Sequence, residues 1–121
     1  MSKWTIEGLD KARAVLGEFS WREFDMIHAV SVQRRNGGVH ERDVDLILDS
    51  ERRRSGNYRV HLRFREISDF KLTTCFQISG LTIENIADHQ WERQNWQVGQ
   101  LEDSVFSLRA AEVEVVSVTP L

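Results

Sequence analysis

Four histidines, one cysteine and nineteen acidic residues are the side chains of this 121-residue chain that could ligate a metal or carry a reaction. Their spacing assigns them to neither task. His28, His40, His61 and His89 form no HExxH, no histidine pair four apart on a helical pattern, and no EF-hand loop. Cys75 lies beside Phe76 in an alternating apolar run, the setting of a small core residue and not of a thiolate with an activating base. There is no G-x-S-x-G elbow, and the Gly-rich triplet at 36–38 precedes no helix as a phosphate loop must. No catalytic residue, metal ligand or cofactor is therefore expected, and the chain reads as a non-enzyme.

Three charged clusters suit binding better than catalysis. Arg52, Arg53 and Arg54, extended by Arg59, could meet phosphates. Single-strand recognition also needs exposed aromatic platforms, and here the aromatics alternate away from the arginines. With Lys plus Arg at 16 against Asp plus Glu at 19, the net charge of −3 lacks the basic balance of nucleic-acid and anionic-membrane binders. Asp43, Asp45 and Asp49 share one strand face and could hold a cation, but arginines on the next strand answer them more simply. The third cluster is the segment E-N-I-A-D-H-Q-W-E-R-Q-N-W. It sets Glu84, Asp88 and Glu92 around Trp91 and Trp96, the aromatic-in-polar pattern of protein interfaces. These five residues are the candidate partner-binding set, with both tryptophans packing inward as the alternative.

The elements that position these groups follow from periodicity. Leu9, Ala12, Leu16 and Phe19 fall in one stripe at helical spacing, which predicts a single amphipathic helix over 5–19. S-W-R-E at 20–23 has capping-box spacing, but strand-like sequence follows, so one turn is expected there. From residue 25 to 119 the period is two. Met26, His28, Val30 and Val32 read as one strand face, which places His28 on the core side. N-G-G at 36–38 supplies a tight reversal, and E-R-R-R-S-G-N at 51–57 a polar loop. Further strands are expected in 69–79, in 81–86, and after the polar stretch 87–97, with turns at Glu102-Asp103 and near Ala111. The fold class is mainly β (α+β): seven or eight antiparallel strands in a twisted sheet or sandwich, with one N-terminal helix and a single domain over 1–121. No helical crossover is available to support a parallel sheet.

For one hairpin the register can be derived. If the apolar faces on either side of the 51–57 loop meet, Leu48 opposes Val60, Leu46 opposes Leu62 and Val44 opposes Phe64. Asp49 then lies across from Arg59, Asp45 from Arg63, and Asp43 from Arg65. Opposite charges so placed contribute roughly 0.2–1 kcal/mol per pair.

The order of these features resembles the Immunity protein 50 family of small, mostly β bacterial proteins and its uncharacterised relatives. The residues that carry the resemblance are F-D-M-I-H-A-V-S-V-Q-R-R before the first turn, Y-R-V-H-L-R-F-R-E-I-S-D-F-K-L, and the closing A-A-E-V-E-V-V-S-V-T-P. The opening lacks the histidine-aspartate start of many relatives, since only Asp25 follows Phe24. The resemblance implies a stoichiometric, non-catalytic binder of a toxin-like protein partner. A small-ligand-binding β domain or an unrecognised enzyme is the alternative, and nucleic-acid binding through Arg52–Arg54 a weaker one. No signal-peptide pattern opens the chain and no run of about 18 apolar residues occurs, so a cytoplasmic protein without a membrane partner is expected. A free edge strand could pair with a second copy.

Overall fold

A computed structural model describes residues 5–34, 42–50, 56–73, 77–87, 94–100 and 106–121. Within them lie one helix, α1 (Leu9–Leu16), one short 3-10 turn (Trp21–Glu23) and eight strands. The strands are β1 (Met26–Arg34), β2 (Arg42–Ser50), β3 (Tyr58–Arg65), β4 (Ser68–Leu72), β5 (Leu81–Asn85), β6 (Trp96–Gln100), β7 (Phe106–Ala110) and β8 (Glu112–Pro120). They form two antiparallel four-stranded sheets, ordered β1-β2-β3-β8 and β4-β7-β6-β5. This is the mainly β architecture with an N-terminal helix that the alternating pattern predicts. The helix is shorter than 5–19, because Gly8 and Gly17, both at positive φ, bound it. The reversal at 36–38 and the loop core at 51–55 lie outside the described residues.

The β2–β3 register is the one derived from sequence. Leu48 pairs with Val60, Leu46 with Leu62 and Val44 with Phe64, and all six side chains are buried. Each such burial contributes roughly 1.5–3 kcal/mol. The β1 register differs from expectation. Ile27 opposes Leu48 but Ala29 opposes Ile47, so His28 is the extra residue of a bulge. The bulge reverses the facing of the strand's start: Ile27 and Val30 pack on the core, while His28 is exposed. The expected inward face of Met26 and His28 is thus corrected.

The two sheets are halves of one bent ladder. β3 runs into β4 and β7 runs into β8, and the two long strands stay paired across the bend: Arg65 opposes Glu112, and Ser68 opposes Arg109. Ala111 N–H donates to the Arg65 carbonyl at 2.9 Å between them. Residues near Ala111 therefore make a corner in a continuing strand, not the reversing turn that the sequence suggests. On the partner strand the corner is made by Glu66 and Asp69, at φ of 51° and 52°. Strands that switch sheets through such bends build corners of sandwiches and partial barrels. At the far side the outer edges meet: Met26 bridges Gln77, Ile78 N–H donates to the Asp25 carbonyl, and Leu81 N–H to the Phe24 carbonyl. One core fills the interior, with Phe24, Phe64, Phe106 and Leu108 fully enclosed.

The N-terminal segment closes another edge. Glu7 forms a parallel bridge with Glu114, its N–H donating to the Val113 carbonyl at 2.9 Å and its carbonyl accepting from Val115 at 2.7 Å. Gly8 follows at φ 76°, so close to β8 that a Cβ there would stand 2.4 Å from the Val115 carbonyl oxygen. Only glycine fits this approach. α1 then lies against β8, with Ala12 and Leu16 buried.

Candidate partner-binding face

The outer face of the β1-β2-β3-β8 sheet gathers the charges that the alternating pattern predicts, and it spends them on itself. Arg59 donates to both carboxylate oxygens of Asp49, at 2.8 and 3.0 Å, and its second nitrogen lies 3.1 Å from His28 Nδ1. Arg63 donates to Asp45 Oδ1 at 2.8 Å. His61 Nε2 stands 3.2 Å from the same oxygen, without the alignment of a hydrogen bond. Arg65 takes a partner beyond the expected one: it donates to Glu114 at 2.5 Å while Asp43 still attracts it, and Asp43 also accepts the Glu66 N–H at 3.2 Å. The physical reason is the corner, where Glu66 turns the backbone N–H toward Asp43 while β8 brings its acids alongside Arg65. Hydrogen bonding raises the pKa of both guanidinium groups against the lowering effect of desolvation, for Arg59 through Asp49 and for Arg65 through Glu114. Asp43 and Asp45 are buried under this ladder. It is a pinned surface in which arginine and carboxylate neutralise each other, and among the described residues no three His, Cys, Asp or Glu side chains group as metal ligands.

The candidate residues divide accordingly. Arg59 is held by Asp49, and Arg52, Arg53 and Arg54 lie outside the described residues. Glu84 is exposed on β5. Trp96 is on β6 opposite Asn85 and Ala110, with 6% of its surface accessible, so its ring belongs to the core. Its indole N–H finds no acceptor among the described residues. Asp88, Trp91 and Glu92 lie outside them.

A second aromatic cluster, which the sequence reading passed over, lies where α1 meets the 3-10 turn. Ser20 begins that turn, its hydroxyl accepting from Arg22 N–H at 3.3 Å while its own N–H donates to Glu23 Oε2 at 3.2 Å. This cap fixes Trp21 on the outside of a tight bend between two phenylalanines. Phe19 meets it edge to face with ring centres 4.9 Å apart, and Phe24 behind it is buried. Trp21 and Phe19 are partly buried against the core, each leaving a minor part of its ring open to solvent. They line an open cavity of about 870 Å³ with Leu9, Arg13 and Glu18, and Trp21 also borders a smaller one, about 190 Å³, against Thr82 and Ile83 of β5. Trp21 is thus the ridge between two hollows. The single capped turn expected at 20–23 is present, but the three aromatics around it in F-S-W-R-E-F do not read as a cluster, because helical periodicity ends at Phe19.

A family model described as Immunity protein PIM8 matches residues 14–116. The chain belongs to this family. The match agrees in type with the immunity-protein resemblance of the strand sequence, while the matching family is PIM8. It begins inside α1 and ends within β8, so β1 to β7, the first half of β8 and the Phe19–Trp21 cluster of this PIM8 member fall within it. No curated protein and no solved structure matches the chain. No helix among the described residues of the PIM8 fold is long and apolar enough to cross a membrane.

Proposed function

We propose that this PIM8-family protein is a cytoplasmic bacterial binding protein that neutralises a toxin by forming a one-to-one complex with it, without turnover. The family match over residues 14–116 carries the reading. The surface we assign to the toxin is the ridge and paired hollows around Trp21, with Phe19, Arg13 and Arg22 at its rim and exposed Glu84 farther along β5. Tryptophan and arginine are the side chains most often found at the energetic centre of protein interfaces, and a hollow on each side lets a partner enclose the ring and exclude water. The ladder on the opposite strands is unsuited to this, since its arginines would have to abandon their carboxylates.

Calorimetric titration with candidate toxins taken from the coding regions neighbouring its own tests the proposal. The expected result is saturation at one equivalent, and a Trp21→Ala variant that folds normally but binds with about 2 kcal/mol less free energy, roughly thirtyfold weaker. Glu84→Ala should cost less, as a rim residue. Unchanged affinity in Trp21→Ala would move the toxin to another face, and absence of binding by the intact protein would remove the reading.

A further inference from the structure

We infer that β1 pairs with β1 of a second copy of this chain, joining two sheets into one across a two-fold axis at Ser31. Sheet edges are templates for additional strands unless a protein guards them with charge, proline, bulges or cover. The edges of this fold are guarded unequally. β8 is covered by Glu7, the lead into β5 is bonded to Phe24, and β4 is only five residues long with an irregular pairing at Asp69. Among the described residues β1 pairs with β2 on one side and on the other meets only Gln77, at Met26, and its bulge protects only the Ile27–Ala29 end. From Ala29 to Gln33 the sequence A-V-S-V-Q carries no charge and no proline, and Val32 is 50% exposed although it faces the core side opposite Val44. An apolar side chain on an inner face with half its surface in water marks the place where another strand continues the core.

The occupant follows from what this stretch can tolerate opposite itself. With antiparallel pairing centred on Ser31, Val30 of each copy faces Val32 of the other on the inner side, and Ala29 faces Gln33 on the outer side. No two like charges meet, and each exposed valine gains a β-branched partner, a favourable cross-strand combination. The contact is isologous, as a closed dimer requires. A strand of this length covers less than the 1,200–2,000 Å² typical of standard interfaces, so the dimer is reversible and concentration-dependent (roughly micromolar to millimolar). The Trp21 ridge is made by other elements, so pairing through β1 does not depend on the toxin reading.

Sedimentation equilibrium on the isolated, toxin-free chain tests this, and toxin binding does not enter the result. The expected outcome is a mass rising toward the dimer between about 1 µM and about 1 mM, and a Val32→Lys variant that remains monomeric throughout with its thermal transition retained. Should Val32→Lys fail to fold, hydrogen exchange on the unaltered chain decides: backbone amides facing outward in 29–33 must become protected as concentration rises. A mass that stays monomeric throughout overturns the inference. So does a dimer that persists in folded Val32→Lys or leaves those amides unprotected.

Discussion

Asp45 is the residue on which the charged face turns. Only 7% of its surface is accessible, yet one carboxylate oxygen receives Arg63 and lies beside His61. Replacing it with alanine removes a charge-assisted hydrogen bond from Arg63, whose side chain is 32% exposed, and a loss of about 1–2 kcal/mol in urea unfolding is expected. Asp69→Asn is the contrast, since asparagine tolerates the positive φ of this corner as aspartate does. The bond from Arg109 to Asp69 is 2.6 Å long, but the Asp69 side chain is 68% exposed, and exposed pairs contribute roughly 0–1 kcal/mol. Equal losses in the two variants would contradict this ranking. The raised pKa values of Arg59 and Arg65 have a definite sign. Their stabilisation is complete below the ordinary arginine pKa and lost only as pH rises beyond it, so these pairs hold through neutral and mildly alkaline solution. The Asp45–Arg63 and Asp49–Arg59 pairs were legible in sequence, because acids alternate with aliphatics on one strand and arginines with aliphatics on the next. Arg65–Glu114 was not, since Glu114 is 49 residues away and nothing local brings it near.

At the scale of elements, close approach and bending matter more than propensity. Gly8→Ala should destabilise the protein by more than about 1 kcal/mol, since the new Cβ meets a carbonyl of β8 and φ is positive. Gly17→Ala shares the positive φ but has open space around it, so it should cost less; chemical denaturation of the two variants checks the order. Strand existence could be read from alternation alone, but alternation is indifferent to which sheet a strand joins. The runs after the 51–57 loop and from residue 69 read as two separate strands, with nothing to say that they join different sheets. The corner at Glu66 and Asp69 divides them between two sheets, and Ala111 does the same opposite. The bulge at His28 was hidden for a related reason: an apolar-polar pattern survives the insertion of one residue if both phases remain plausible, and Met26 fits either face.

For the whole molecule, both sheets, the cap of α1 and the turn at Trp21 surround a single core, and the family match spans nearly all of it. Of the candidate site, sequence alone made Glu84 and the tryptophans of the 84–96 segment legible by type, and Trp96 takes the inward packing that stood there as the alternative. Aromatic residues serve the core and the interface equally well, and only the chain's path tells them apart. The Trp21 ridge emerged from the fold because its neighbours across the hollow, Thr82 and Ile83, are sixty residues distant in sequence. The most direct measurement is a titration of the toxin's own activity with the purified protein. With a stoichiometric binder the toxin's activity falls linearly to zero at one equivalent, and heat-denatured protein has no effect. Complete loss of toxin activity at a small fraction of one equivalent would instead reveal turnover, and would contradict the account.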